Sequence, residues 1–196
     1  MLPGARRRQR GAAAIEFALL AAIFFTLVFG IIEVARLMYV YNTLQEVTRR
    51  AAAAAANVNP GDATALARLK QAAVFRTSAG GLALAPPVTD EHIRVNYLAL
   101  TRAAGTNELS MTAIDPATLP GDAADNRYIC MADPNAANCI RLVQVQVCDP
   151  SAPDACLPVT SQMLIPIIDL RVPLHKATTI VAAESLGYVP GGLPHP

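Results

Sequence analysis

The hydrophobic pattern of the chain changes twice, and it begins with the longest apolar run. Residues 12–32 hold a single ionisable side chain, that of Glu16. At 1.5 Å per residue, a helix of this length would span about 31 Å, close to the hydrocarbon thickness of a bilayer. No second run of this length occurs in the sequence. We therefore predict one membrane crossing.

After this run, the apolar positions keep a helical spacing and predict that the same helix continues to Ala56. The repeat consists of Val34, Ala35, Met38, Tyr41, Leu44, Thr48, Ala51 and Ala55. Glu33 with Arg36, and Glu46 with Arg50, have the spacing to pair on other faces of the helix. The residues that end the helix are Asn57, Asn59, Pro60 and Gly61. An apolar stripe of this kind must pack against something, most economically the domain that follows.

The next segment predicts a second, shorter helix. Asp62 or Thr64 can cap its first turn, and Gly80 and Gly81 can close it. The residues expected on its buried side are Ala65, Leu66, Leu69, Ala72, Ala73 and Phe75.

Beyond the prolines at 86 and 87, the hydrophobic period changes to two, which is typical of half-buried strands. The two clearest strands carry Ile93, Val95, Tyr97 and Ala99, and Val143, Val145 and Val147. Thr178–Ala183 is a further strand, while Leu109–Ile114 and Ile167–Leu174 are weaker candidates. Helices followed by strands predict an α+β fold with an antiparallel sheet over the helix stripe.

The predicted organisation is therefore a transmembrane helix at residues 12–33, its amphipathic continuation at 34–56, and an α+β domain at 57–189. Residues 190–196, rich in Pro and Gly, are predicted to be a disordered tail.

Charge predicts which way the helix crosses the membrane. Arg6, Arg7, Arg8 and Arg10 lie directly ahead of the apolar run. The positive-inside rule keeps such a flank in the cytoplasm and places the domain on the far side. A cleaved secretory signal is the alternative, but this run is longer than an ordinary signal's apolar region and no Ala-x-Ala site follows it.

Over the whole chain the 16 basic and 15 acidic residues nearly cancel, with a formal net charge of +1, so no general basic field exists to hold nucleic acid. A hydrophobic content of 53% excludes a disordered protein.

Glu16 is the most informative residue of the apolar run, because a carboxylate within a membrane helix is costly and requires a partner. If the chain were cut after Gly11, Ala12 would carry a free amine four positions before Glu16. The amine of an adjacent, axially shifted copy could then neutralise the carboxylate. The alternative is that Glu16 lies at the cytoplasmic headgroup level and stays hydrated.

A row of small residues also favours helix association within the membrane. Small side chains recur every fourth residue and allow backbones to approach closely. The row consists of Ala14, Ala18, Ala22, Thr26 and Gly30.

Residues 6–17 read R-R-R-Q-R-G-A-A-A-I-E-F. This segment resembles the start of type IV prepilin-like proteins, in which a prepilin peptidase cuts after the Gly that ends a basic leader. With Glu16-Phe17, the G-I-I-E at residues 30–33 and the Y-N-T-L-Q at 41–45, residues 6–56 look like the TadE-like pseudopilins of the Tad (tight adherence) pilus system.

The resemblance implies that residues 1–11 are a leader, that Gly11 and Ala12 flank the cut, and that Glu16 and Phe17 direct subunit register. It also implies a minor, non-enzymatic pilin-like component of the bacterial inner membrane, with a cytoplasmic N-terminus and a periplasmic domain. The implied partners are a prepilin peptidase, other Tad pilins and pseudopilins, the inner-membrane assembly platform and the lipid bilayer. Tip, initiating and priming roles stay open, as does incorporation into the pilus.

Four cysteines lie in the predicted external domain, where an oxidising environment favours disulfides. A strand between Cys139 and Cys148 would hold these two about 30 Å apart, too far for a bond. We favour the local pairs Cys130–Cys139 and Cys148–Cys156, each of which encloses turn-forming residues. The crossed pairing, Cys130 with Cys148 and Cys139 with Cys156, is the alternative.

The sequence contains no Gly-x-Ser-x-Gly nucleophile elbow and no Walker-type phosphate loop. The three histidines lack metal-ligand spacing, and we expect His92 and His175 to be solvent-facing strand residues. Asp115, Asp122 and Asp125 lack the spacing of a calcium loop and are expected to be a solvated loop. We therefore predict no cofactor and no enzyme activity. The competing interpretations are an unprocessed, membrane-anchored binding or sensing module and an anchored periplasmic hydrolase.

Overall fold

The computed structural model describes residues 10–152, 155–164 and 171–188. Its helices are α1 (Arg10–Ala55), α2 (Ala63–Ala73) and α3 (Ala123–Ala132). Its strands are β1 (Ile93–Arg102), β2 (Leu109–Ala113), β3 (Leu142–Val147) and β4 (Thr178–Ala182). The α+β class predicted from the sequence is confirmed. The tail at 190–196, most of the leader and part of the Ile167–Leu174 candidate strand lie outside the described residues.

The long helix α1 is continuous for 46 residues, or about 69 Å. It ends in a run of alanines, the residue with the highest helix propensity, and stops before Asn57 as predicted. The backbone N–H groups of Glu184 and Leu186 both donate to the carbonyl of Ala56 at 3.1 Å. The chain that follows β4 therefore caps the far end of α1.

The four strands form one antiparallel sheet in the order β2-β1-β3-β4. The register pairs Ile93 with Val147, Val95 with Val145 and Tyr97 with Val143, so the two predicted apolar rows share one face. This face packs on α1, where the buried side chains include Val40, Leu44, Val47, Ala51 and Ala55. The predicted packing of the sheet on the helix stripe is confirmed.

The first turns of the predicted stripe differ from the structure. Val34 and Met38 are mostly exposed, as is Ala35, whereas Glu33 and Arg36 are buried. The prediction placed this charged pair on another face, because apolar periodicity assigns charged residues to solvent. The domain covers the pair instead.

Helix α2 begins as predicted, with the Asp62 carboxylate accepting a hydrogen bond from the Ala65 N–H at 2.9 Å. The helix ends at Ala73 instead of continuing to Gly80, because Phe75 has a left-handed backbone with φ of 60°. Leu69 and Ala73 are buried as predicted, but Ala72 and Phe75 are exposed. The Arg50 guanidinium covers one face of the Phe75 ring at 4.7 Å from its centroid.

Helix α3 was not predicted, because its sequence, A-A-D-N-R-Y-I-C-M-A, shows little apolar periodicity. The helix is defined by its cap: the Asp122 carboxylate accepts from the N–H groups of Ala124 and Asp125 at 2.7 and 2.8 Å. Asn126 is buried on it and exchanges two hydrogen bonds with the backbone of Ile140.

Two disulfides join Cys130 to Cys139 and Cys148 to Cys156, with Cα separations of 5.1 and 4.8 Å. The favoured local pairing is confirmed, and the crossed alternative is wrong. The bonds lie at opposite ends of β3, as the strand-length argument required.

The domain has two ends relative to α1. Thr179 of β4 contacts Thr48, and Glu184 contacts Ala56, so β4 runs in the same direction as α1. We call the end beside Glu33 proximal and the end beside Ala56 distal. Because β3 is antiparallel to β4, the Cys148–Cys156 bond is proximal and the Cys130–Cys139 bond is distal.

Candidate membrane and assembly surface

The first half of α1 projects from the domain as an apolar rod. No residue from Gly11 to Ile32 is buried, and the most apolar window of the helix has a mean hydropathy of 2.5. Its large side chains expose between about half and three quarters of their surface: Ile15, Phe17, Leu19, Leu20, Ile23, Phe24, Phe25, Leu27 and Ile31. An apolar surface of this extent marks a membrane or protein contact. Its length and composition suffice to cross a bilayer.

Glu16 lies on the exposed surface of this rod, next to Phe17, which is 74% exposed. Gly11 and Ala12 lie in the first described turns, and Ala12 is about 6 Å below Glu16 along the axis. Among the residues that the structure describes, no hydrogen bond or ion pair involves Glu16. Its carboxylate is free to meet a group from another molecule. Arg6, Arg7 and Arg8 lie outside the described residues.

The row of small residues is also exposed. The Thr26 hydroxyl donates to the Ala22 carbonyl at 2.8 Å, so this polar group needs no partner from lipid. A Cβ atom added at Gly30 would meet nothing within 4 Å. The row that runs from Ala14 to Gly30 therefore forms an exposed line without large side chains, which favours the close approach of a second helix.

An ion pair marks the junction between the apolar rod and the domain. The Arg36 Nη1 group donates to Glu33 Oε1, and both side chains are about 95% buried. The Arg36 Nε–H donates to the carbonyl of Leu84 at 2.8 Å. Glu33 Oε2 is buried and accepts no hydrogen bond among the described residues. Sequence analysis predicted the pairing but not its burial.

Farther along α1, a second charged cluster is open to solvent. Hydrogen bonds from Arg49 and Arg50 lower the pKa of Glu46 to about 2. The cluster borders an open groove of about 670 Å³, which Tyr39, Thr43, Phe75 and Leu82 line between α1 and the end of α2. Salt bridges this exposed contribute little to stability.

The histidines are not the strand residues that sequence analysis expected. His92 ends a single helical turn before β1, and its Nδ1 accepts from the Thr89 N–H at 3.1 Å. Partial burial lowers the pKa of His92, although Asp149 opposes this shift. His175 lies outside any strand, with Nδ1 3.5 Å from the Gln45 amide nitrogen.

Two of the three aspartates that sequence analysis assigned to a solvated loop, Asp115 and Asp122, cap the first turns of helices. Asp115 accepts from the Ala117 N–H at 2.8 Å, and Asp122 caps α3. Within the described ranges, no three His, Cys, Asp or Glu side chains are grouped to hold a metal ion. A second cavity of about 300 Å³, beside Asn126 and Arg141, contains neither His92 nor His175, and the groove beside Tyr39 contains neither of them.

One known protein family matches the apolar rod and the part of α1 that continues it. The family model described as TadE-like protein matches residues 11–53, a little over a fifth of the chain. The match begins at Gly11, covers Glu16 and the junction pair, and ends in the alanine run of α1. Residues 11–53 are thus a TadE-like segment, which supports a pilin-like component associated with the Tad pilus. No curated protein and no solved structure matches the chain.

Proposed function

We propose that this protein is a minor pilin-like, non-enzymatic component of Tad pilus assembly. The observation that carries the proposal is the coincidence of the TadE-like match with the exposed half of α1. A helix whose first half leaves its apolar surface uncovered is suited to lie first in a bilayer and then against other helices.

The leader of residues 1–11 is removed by a prepilin peptidase, which cuts between Gly11 and Ala12. Two observations support this step: an arginine-rich flank ends at Gly11, and the TadE-like match starts at that residue. The cut would leave Ala12 with a free, protonated amine at the start of a straight helix.

Glu16 and Phe17 set the register between subunits in this proposal. The Glu16 carboxylate has no partner within the described part of its own chain. The new amine of an adjacent copy, displaced along the axis, would neutralise it. Assembly would then pair two charges, the Ala12 amine and the Glu16 carboxylate, that are costly in lipid. Because they pair only at one axial displacement, the helices would have a preferred offset. The exposed row from Ala14 to Gly30 would allow the two helices to pack closely.

The proposed location is the inner membrane, crossed once, with the N-terminus in the cytoplasm and the domain in the periplasm. The arginine cluster supports this orientation through the positive-inside rule. The two disulfides support it independently, because such bonds persist in the periplasm and are rare in the cytosol. The prepilin peptidase, the other Tad pilins and the assembly platform would be its partners in that membrane.

The mass of the mature N-terminus, measured on protein purified from host membranes, tests the processing step. We expect a polypeptide that starts at Ala12. Gly11→Val should block the cut, while the matched substitution Gly4→Val, within the leader, should leave it unchanged. Retention of Met1 in the assembled form, or a cut beyond Gly30, would contradict the proposal.

Glu16 variants test the proposed register. Glu16→Gln keeps the size of the side chain but removes its charge, and we expect it to insert into the membrane and be cut while losing cross-links to neighbouring pilins. Glu16→Asp should retain part of the cross-linking. If Glu16→Gln cross-links like the unmodified protein, the carboxylate has no counter-charge role and the headgroup-level interpretation stands.

The same N-terminal mass separates this function from that of an anchored binding or sensing module, which would keep its leader. For a periplasmic hydrolase, the relevant feature is a pocket beside His92 or His175, and the two cavities described above contain neither residue.

A further inference from the structure

Among the described residues, the loop Leu82–Pro87 accepts the hydrogen bond from α1 that lies nearest to the apolar run, since the next one along the helix comes from Tyr41. Its Leu84 carbonyl receives the Arg36 hydrogen bond, so its height along α1 is set by that side chain. Arg36 lies four residues after Ile32, about 6 Å beyond the apolar run, and its side chain leans back toward Glu33. The headgroup layer on each side of a bilayer is about 5 to 7 Å thick. The Leu84 carbonyl therefore lies within that layer.

This result does not depend on where Glu16 sits. If Glu16 is at the cytoplasmic headgroup level, the hydrocarbon core begins near Phe17, and about 20 residues of helix then extend to Arg36. That placement moves the loop deeper into the membrane. Both placements bring the loop into contact with lipid.

The composition of the loop suits this environment. Residues 77–89, T-S-A-G-G-L-A-L-A-P-P-V-T, contain no charged side chain. Leu84 is 57% exposed, and its neighbours Ala83 and Pro86 are also exposed. Leu84 has a left-handed backbone, with φ of 58°, which is costly for a residue other than glycine. The loop has its own backbone hydrogen bonds, from the Ala85 N–H to the Leu82 carbonyl and between Leu82 and Val88, and the Arg36 hydrogen bond ties it to α1.

The loop contacts a charged pair, Glu33 and Arg36, at the depth where α1 leaves the membrane. Glu33 and Arg36 would face lipid headgroups or acyl chains if the domain did not cover them, and charges at this depth are costly. The structure buries both, leaving Glu33 Oε2 with no water-accessible surface. Whatever covers such a pair must present a polar backbone inward and an apolar surface outward, and Leu84 does both.

We propose that Leu82–Pro87 is a membrane foot of the periplasmic domain, inserted among the phospholipids of the outer leaflet with the Leu84 side chain at the acyl boundary. The foot shields the Glu33–Arg36 pair from lipid and fixes the height of the domain on the bilayer before assembly. The inference rests on α1 crossing the membrane, and it is independent of leader cleavage and of the pilus role.

The absence of tryptophan from the chain makes a direct depth measurement possible. Leu84→Trp would carry the only indole in the protein. The full-length variant is reconstituted in vesicles of phosphatidylethanolamine and phosphatidylglycerol, with or without brominated acyl chains. We expect a blue-shifted emission that brominated lipid quenches and aqueous iodide does not. Because the loop is uncharged, high salt should leave the quenching unchanged.

Leu109→Trp is the matched control, since Leu109 is 56% exposed but lies on β2, the strand at one edge of the sheet. Iodide should quench it, and brominated lipid should not. Ala83→Trp provides a second probe of the loop if Leu84→Trp fails to fold, as judged by disulfide formation and near-ultraviolet circular dichroism.

Two outcomes would overturn the proposal. In the first, a Trp in the loop responds to iodide and brominated lipid as Leu109→Trp does. In the second, its emission is shielded from both quenchers and changes with the ratio of protein to lipid, which would assign the loop to a protein contact. Neither outcome bears on the processing test, whose readout is the N-terminal mass.

Discussion

The Nε–H of Arg36 donates to the carbonyl oxygen of Leu84 at 2.8 Å, which joins α1 to a loop 48 residues further along the chain. The same guanidinium pairs with Glu33, and both side chains are buried. Arg36→Met would leave a buried carboxylate without its counter-charge. We expect it to lower the free energy of unfolding by about 3 kcal/mol. Chemical denaturation of the full chain in lipid nanodiscs measures this change.

The control for this prediction is Arg50→Met, which removes an exposed arginine from the same helix and should cost less than about 1 kcal/mol. The double variant Glu33→Gln/Arg36→Met removes both charges and should recover much of the loss. Equal effects of Arg36→Met and Arg50→Met would show that burial adds nothing to the junction pair.

The disulfides are expected to act as independent local staples. Each closes a short loop, with sequence separations of 9 and 8 residues. Replacing either cysteine pair with serine should cost about 2.5 kcal/mol in the chain-entropy model. Thermal unfolding of the two double-serine variants measures the loss. Proteolysis should become faster near Cys130 in one variant and near Cys148 in the other, because the bonds lie at opposite ends of β3. Identical cleavage patterns would argue against independent staples.

Tyr97 is predicted to be a site where a smaller, less polar side chain stabilises the protein. Burial raises its pKa to about 12, and its hydroxyl has no hydrogen-bond partner among the described residues. Tyr97→Phe removes this unsatisfied group and should raise the free energy of unfolding by about 1 kcal/mol. Tyr128→Phe, at a residue that is 78% exposed, is the control and should have no effect. A loss of stability in Tyr97→Phe would reveal a partner for the hydroxyl.

His92 should make the stability of the domain depend on pH. Partial burial lowers its pKa below the ordinary value of 6.5, and Nδ1 must be unprotonated to accept from the Thr89 N–H. Between the folded-state pKa and 6.5, the unfolded chain binds the proton more readily, so stability falls as pH falls through this window. The stability that the neutral His92 contributes is fully present above pH 6.5.

NMR titration of the His92 ring and thermal unfolding at about pH 7.5 and about pH 5.5 measure this effect. His92→Gln should flatten the pH dependence, whereas His175→Gln should leave it intact. A folded-state pKa at or above 6.5 would refute the assignment.

Much of the fold follows from periodicity. The long helix, the start of α2, all four strands and both disulfides agree with the predictions, including β2, whose Leu109–Ala113 matches the weaker candidate Leu109–Ile114, because each depends on local spacing or on the length of one strand. Helix α3 was not predicted because it has no apolar stripe. The Asp122 cap and the hydrogen bonds of Asn126 to Ile140 stabilise it instead. Phe75 was expected to be buried, yet its left-handed backbone turns the ring toward Arg50, which no hydrophobic repeat encodes.

The membrane-length helix, the arginine-flanked Gly11 and Glu16 within the apolar run could all be predicted from the order of the residues, because a long apolar run is defined by neighbouring positions. The burial of Glu33 and Arg36 could not be predicted in this way and is visible only in the folded chain. Residue type alone assigns a charged side chain to solvent, whereas its burial here accompanies a hydrogen bond to a backbone carbonyl that packing brings from 48 residues away.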